Sequence, residues 1–412
     1  MRSRVLVIHP SLTGGGGADQ VAAWTLQALA REYRVTLYTW RPVDVRAVDR
    51  FCETDLAHAE IEYLQVPATI RRALGVIPAR LSLLETAWLL RYAKRLDRER
   101  HFDCVLSTFN EMDFGRVGLQ YIHHPWSYLP RPDEDLAWYS RPPLALALYH
   151  ELCRRIGAMT PAGMARNVSV ANSSFIAARV GSVISEPCRV VFPPVPGRFA
   201  PLPWQDRCDE IVCLGRLAPE KRTLDVIDIV ERVRAGGVDV HLKLVGIADV
   251  ATYAGRVRDR LRSCADWATL EIAPPRERVL ELLHRARYGI HAMRDEHFGI
   301  AVAEMLLAGC IVFAHDSGGP AEILGGAREV LFRDDDEAVD KIAALLRSQE
   351  ARSRVSVALA ERRAAFGVET FVAEMKRSVA ETIRLASGDG RVGSSAPHSR
   401  YIGLDQARPP SS

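Results

Sequence analysis

The chain has 412 residues, 48% apolar and 25% charged, enough for two or three ordinary folded domains. Its 54 basic and 51 acidic residues leave a net charge of +3, which is no footprint for nucleic acid. Eight scattered cysteines form no C-x-x-C pair, which removes zinc-ribbon and thioredoxin-like readings and suits a reducing cytoplasm.

No apolar run reaches the roughly 18 residues that a membrane span needs. The opening MRSRVLVIHP is too short and strand-like for a signal peptide. RVLVIH is a continuous apolar run, as expected of a strand buried on both faces. PSLTGGGG is a loop, and ADQVAAWTLQALAREY has helical periodicity, with Val21, Trp24, Leu26, Ala28 and Leu29 on or near one face. RVTLYTW is a second strand, so the chain opens as a parallel α/β domain. Residues 67–100 are helical and basic, FDCVLSTFN and GLQYIHHP are strands, and residues 142–166 form a helix with a proline break. NVSVANSS is a strand running into Asn172, Ser173 and Ser174, good capping chemistry for the next helix.

Residues 186–207 carry six prolines, which forbids helix propagation and marks the domain linker. The alternation then restarts with EIVCLGR, KRTLDVIDIVERVRAGG, VHLKLVG, ATLEIA, RERVLELLHRA, YGIHA, IVFA and EVLF. Two rounds of strand and helix predict two doubly wound α/β domains facing a cleft. The expected divisions are a first domain over 1–185, the linker over 186–207, a second domain over 208–368, a last helix over 369–387 and a disordered tail over 388–412.

Three places carry candidate chemistry. The TGGGG loop lies between the first strand and first helix, where glycines admit a ligand and the helix start favours anions. It breaks the dinucleotide fingerprint, with Asp19 in the third glycine's place, and it lacks the lysine of the G-x-x-x-x-G-K phosphate loop. In LGRLAPEK, Arg216 and Lys221 stand at the carboxyl end of a strand, where two cations can clamp a diphosphate or form a solvated pair with Glu220. In DEHFGIAVAEMLLAGC, Glu296 lies in a loop and Glu304 in a helix starting near Phe298. The N–H groups of Phe298, Gly299 and Ile300 then suit an anion between two hydroxyl-binding carboxylates, unless both acids are simply solvated. The DDD of RDDDEAV reads as a helix start, so no metal is expected.

Taken together, TGGGGADQVAAWTLQAL, YIHHP, VANSS, LGRLAPEK and EHFGIAVAE with MLLAGCIVFAHDSGGPAEIL resemble retaining glycosyltransferases of the GT-B class, family four. The pieces run in family order from residue 5 to about 332, and the last is highly specific. The closest likeness is to mannosyltransferases that extend lipid-linked oligosaccharides with α-1,2-mannose from GDP-mannose. The resemblance implies two Rossmann-like domains, the first on the acceptor side and the second holding the nucleotide sugar, with the last helix returning to the first domain. It implies a diphosphate held by Arg216 and Lys221, a ribose on Glu304, a hexose near Glu296 and backbone amides from Phe298, Gly299 and Ile300. Gly15 and Gly16 would close over the donor, and His123 would stand near the anomeric carbon, with His124 the competing choice. The family's usual acid after the glycines is Glu; here Asp19 stands there, and its role is open. His297 and His315 read as structural.

The expected reaction moves a hexose, mannose by preference, from a nucleotide-diphosphate sugar to a hydroxyl of a glycan or lipid-linked acceptor, with no cofactor or metal. A UDP-sugar donor is the alternative; an epimerase and a non-catalytic binder are the rivals from other classes. The expected place is the cytoplasm or the inner face of the cell membrane. Peripheral contact would run through residues 70–98, where Arg71, Arg72, Arg80, Arg91, Lys94, Arg95 and Arg98 alternate with Leu, Ile and Trp. Core packing is the other reading of those helices.

Overall fold

The computed structural model describes residues 2–75, 82–125, 143–184, 188–248 and 250–388. The first half runs β1 (Arg4–Ile8), α1 (Gly17–Ala30), β2 (Arg34–Thr39), α2 (Val45–Cys52), β3 (Ile61–Gln65), α3 (Ala68–Gly75), α4 (Ser82–Arg100), β4 (Cys104–Ser107) and β5 (Leu119–Ile122). It continues with α5 (Pro143–Gly157), α6 (Pro161–Ala165), β6 (Val168–Ala171), α7 (Ser174–Gly181) and β7 (Cys188–Val190). The second half runs β8 (Cys208–Leu214), α8 (Thr223–Ala235), β9 (His241–Gly246), α9 (Ala251–Leu261), β10 (Ala268–Ile272), α10 (Arg276–Arg285) and β11 (Ala286–His291). Then come α11 (Ile300–Leu307), β12 (Ile311–His315), α12 (Gly318–Ile323), β13 (Leu331–Phe332), α13 (Asp335–Arg347), α14 (Gln349–Arg362) and α15 (Val368–Ala386).

Each half builds one parallel sheet, in the orders β3-β2-β1-β4-β5-β6-β7 and β10-β9-β8-β11-β12-β13. Successive side chains of a strand point to opposite faces, and β1 shows the consequence. Val5 and Val7 pack with α1 and α15, while Leu6 and Ile8 pack on the other face with Leu89 and Leu90 of α4. A strand with helices on both sides must be apolar throughout, which is the RVLVI pattern. Phe371, Met375 and Val379 place α15 in the first domain's core, so the last helix crosses back.

The strand orders reverse between β1 and β4 and between β8 and β11, where open α/β sheets leave a crevice for ligands. The loops after those four strands carry most of the residues of interest, and His123 and His124 follow the neighbouring β5.

Three expectations change. The segment read as linker begins inside the first domain, because Cys188–Val190 pairs with β6 as an edge strand. An edge position tolerates the prolines that follow. The helix expected from Phe298 starts at Ile300, since Gly299 has φ +97 and cannot be helical. The apolar side of the basic 70–98 segment is taken up by the protein: Leu84, Leu89 and Leu90 are buried, while Arg72, Arg91, Arg95 and Arg98 are exposed. Arg80, Ile77, Leu81 and the tail beyond Gly388 lie outside the described residues.

Candidate active site

On the first domain the glycine loop is shaped by Asp19. Its Oδ2 accepts the N–H groups of Thr13 and Gly15, both at 3.0 Å, and the Thr13 hydroxyl at 3.2 Å. Its Oδ1 accepts His9 Nε2–H at 3.1 Å, and His9 Nδ1 in turn meets the Thr108 hydroxyl at 3.0 Å. Burial pushes the Asp19 carboxyl up, but His9 and the two backbone donors outweigh it, so it stays below its ordinary range. The role left open in the sequence is therefore to fold the glycine loop back onto its own helix start, with an aspartate's shorter reach.

The histidine pair follows β5. The N–H groups of His123 and His124 both donate to Asn110 Oδ1, at 2.8 and 2.9 Å. Asn110 holds φ +61, a left-handed conformation that asparagine tolerates better than most residues. His123 Nε2 donates to the Thr108 carbonyl at 3.2 Å, which leaves Nδ1 as an acceptor. Burial pushes His123 down to about 4, against the Thr108 contact, so the ring is neutral at physiological pH. The His124 ring centroid lies 4.6 Å from that of His297 in the second domain. The two histidines thus share one backbone anchor, Asn110, and differ in their ring partners.

On the second domain, the loop after β8 brings Lys221 against Glu296 rather than leaving it alone. Lys221 Nζ contacts Glu296 Oε2 directly, and both side chains are largely buried. His291, at the end of β11, sets Nε2 3.2 Å from the same oxygen. Burial pushes Glu296 up, yet Lys221 first and His291 next hold it well below the usual carboxylate range. Arg216 is half exposed and bridges to Glu220 at 3.0 Å, and it lines a small cavity together with Lys221 and His291. The loop bearing Glu296 is fixed by α12. A Cβ on Gly318 (φ +69) would stand 2.2 Å from the Glu296 carbonyl, and Gly319 N–H donates to that carbonyl at 2.8 Å. The paired glycines thus let two backbones touch beneath Glu296.

Glu304 has a different partner from Glu296. Its Oε1 lies 2.5 Å from Arg276 Nη1, and Arg276 also reaches Glu53 of the first domain at 3.2 Å. Burial raises Glu304 and Arg276 pulls it back down, with a net rise. Phe298 is buried and stacks on Phe192 at 5.8 Å, so only its backbone is available to a ligand. Gly299 and Ile300 form the start of α11, which has no side-chain cap.

The two domains meet around these groups. A Cβ on Gly17 would lie 2.6 Å from Ile300 Cδ1, so the glycine loop sits beside the start of α11. Gly16 caps α1 with an extended backbone, next to Gly15. Ser173 Oγ donates to the His297 carbonyl at 2.5 Å, and Ser174 donates from N–H and Oγ to Glu322 at 2.7 and 2.5 Å. The sequence-predicted residues therefore gather at one cleft, but the two glutamates have separate cationic partners. Sequence reasoning missed Asn110, His291, Arg276 and Glu53. Only Asn110 had a readable signal, an asparagine in the short loop that follows β4.

Residues 198–361 match the family described as "Glycosyl transferases group 1". The chain is 23% identical over 368 residues to the GDP-Man:Man(3)GlcNAc(2)-PP-Dol alpha-1,2-mannosyltransferase of Dictyostelium discoideum, covering 76% of this chain and 71% of that one. The Homo sapiens protein of the same name is 27% identical over 361 residues, covering 77% and 73%. Among solved structures, the sucrose-phosphate synthase of Thermosynechococcus elongatus superposes with a TM-score of 0.68 at 16% identity, covering 93% of this chain and all of that one. Anabaena HepE in complex with UDP gives 0.65 at 13% identity, covering 92% and 100%. The fold they share with this chain is GT-B.

Proposed function

From the premise that this chain is a glycosyltransferase, with a group 1 domain on the GT-B fold, we propose that it transfers mannose from GDP-mannose to a hydroxyl of a glycan or lipid-linked acceptor, with retention. The observation that carries the reading is the convergence of Arg216, Lys221, Glu296, the start of α11 and Glu304 on one side of a cleft whose other side presents Gly15, Gly16 and His123. Lys221 and Arg216 neutralise the leaving diphosphate together with the amides of Phe298, Gly299 and Ile300, an electrostatic task that fixed donors perform well. Glu304 accepts ribose hydroxyls and Glu296 accepts hexose hydroxyls. His123 offers Nδ1 to the sugar beside the anomeric carbon.

In the step itself, the bond from C1 to the diphosphate oxygen breaks as the acceptor oxygen bonds C1 on the same face. The acceptor's proton passes to the departing phosphate oxygen. The relatives' printed names support GDP-mannose and a lipid-linked acceptor. A membrane contact through the first domain would be electrostatic, through Arg72, Arg91, Arg95 and Arg98, because the apolar side of α4 is inside the protein. Among the described residues no helix is long and apolar enough to cross a membrane.

The test is a thermal-shift panel of GDP-, UDP-, ADP- and TDP-sugars. A donor at one hundred times its Kd stabilises by about 2.7 kcal/mol. Stabilisation by UDP-sugars and not GDP-sugars would overturn the donor, and epimer formation from donor alone would overturn the transfer reaction. Sedimentation with anionic vesicles tests the membrane contact, which should vanish at high salt.

A further inference from the structure

Arg276 opens α10, and its guanidinium joins three separate parts of the molecule. Nη1 lies 2.5 Å from Glu304 Oε1 in α11, Nε donates to Glu53 Oε1 at 3.2 Å, and Nη2 donates to the Pro196 carbonyl at 2.8 Å. Glu53 ends α2 of the first domain with φ +54, and Pro196 belongs to the crossover between the domains. Both side chains of the Arg276–Glu304 pair are largely enclosed, 21% and 8% exposed. A planar guanidinium with fixed donor directions can satisfy several acceptors at once and hold each in place.

Glu304 needs such a partner. It sits among apolar side chains of α11, where burial alone favours the protonated acid. A protonated carboxyl is a poor acceptor for a pair of ribose hydroxyls. Arg276 opposes that outcome through its contact with Oε1. Arg276 is itself steered by Glu53, and α2 supports the glycine loop as well: a Cβ on Gly14 would lie 3.2 to 3.4 Å from Phe51, Ala47 and Val48. One short helix of the first domain therefore bears both the loop expected over the donor and the carboxylate that reaches Arg276.

We propose that Arg276 is a positioning residue for nucleoside recognition: held by Glu53 and the Pro196 carbonyl, it orients the Glu304 carboxylate toward the ribose and couples that contact to the seating of the first domain. The inference rests on the reading that Glu304 binds ribose. It adds a residue of the second domain, and one of the first, through which that binding depends on both halves.

Calorimetric titration with GDP and with 2′-deoxy-GDP tests it, on the full chain as wild type, Arg276→Met, Arg276→Lys and Glu53→Gln. A hydrogen bond to a charged group implies that wild type prefers GDP by about tenfold or more. Arg276→Met should bring this preference below about threefold, since the two groups act as a coupled pair, and Glu53→Gln should lower it part of the way. A residue with only a structural role would weaken both ligands equally and leave the preference unchanged, and that result would overturn the inference while sparing Glu304 as the ribose ligand. A wild type that does not distinguish the two nucleotides would overturn the Glu304 reading and the inference with it. If the methionine variant does not fold, the lysine variant decides, because lysine keeps the charge without the fork: a reduced preference supports the proposal and an unchanged one refutes it.

Discussion

Lys221 and Glu296 make the sharpest case for prediction, because each holds the group that the other would need to share with a donor. Lys221 Nζ contacts Glu296 Oε2, with the side chains 17% and 14% exposed, so little solvent screens them. Replacing Lys221 by Met removes a charge-assisted contact with the diphosphate, about 1.5–3 kcal/mol. It also leaves Glu296 uncompensated. A like charge at about 5 Å, with an effective dielectric constant of about 20, repels by about 3 kcal/mol. The two effects together, about 4.5–6 kcal/mol, predict a loss of GDP affinity of about a thousandfold or more. Glu296→Gln acts in the opposite sense on the same ligand. It releases Lys221, so GDP should bind as well as before or better, while kcat with the sugar donor falls.

The double variant then recovers part of what Lys221→Met lost, because no stranded carboxylate remains. Calorimetry with GDP on the four proteins, with steady-state kinetics beside it, measures the coupling. Each variant must first be shown folded, since breaking one side of a buried pair is strongly destabilising. Non-additivity above about 1 kcal/mol is expected for groups in contact. If the two effects on GDP affinity simply add, within about 0.5 kcal/mol, the pair does not share the diphosphate and the proposed arrangement fails.

Two further predictions concern the first domain. His123 has its pKa lowered to about 4 by burial, while an unfolded histidine titrates near about 6.5. Its contribution to stability is thus present above about 6.5 and is lost as pH falls through the folded value. An NMR titration of the ring should show a midpoint near the lower value, and a midpoint at the upper one would remove the neutral-imidazole role. Asn110→Ala loses the acceptor for two backbone N–H groups and must hold φ +61 without an asparagine side chain, so it should cost about 2–4 kcal/mol in urea unfolding. Asn110→Gly, free of the backbone strain, should cost about 1 kcal/mol less, and equal costs would show that the left-handed conformation carries no strain.

The strand and helix alternation was legible because a strand between two helix layers has to be apolar on both faces, and RVLVI or EIVCL can be little else. The positions of the charged residues at strand ends were legible for the same reason. Which cation meets which carboxylate was not. Lys221 and Glu296 are 75 residues apart, and Arg276 reaches Glu304 and Glu53 on different elements. Such pairings are set by how β8 lies beside β11 and how the two domains dock, and no local pattern encodes either. The basic stretch of residues 70–98 was ambiguous for a different reason: an amphipathic helix shows that it has an apolar side, and the sequence does not say whether protein or lipid covers it.

The same distinction changes how the two glutamates are read. Read along the chain, Glu296 and Glu304 look like a pair of acids around one anion-binding helix start. In the structure each is neutralised by its own cation, Glu296 by Lys221 and Glu304 by Arg276. Two neutral pairs flanking uncapped amides do not repel a diphosphate as two free carboxylates would, yet both still offer oxygens to hydroxyl groups. On the proposed function, this would let one short segment hold a sugar, a diphosphate and a ribose at once. It also explains the glycines at 318 and 319: with Gly318 beneath the Glu296 carbonyl, the loop is pressed onto α12 and its carboxylate is kept within reach of Lys221.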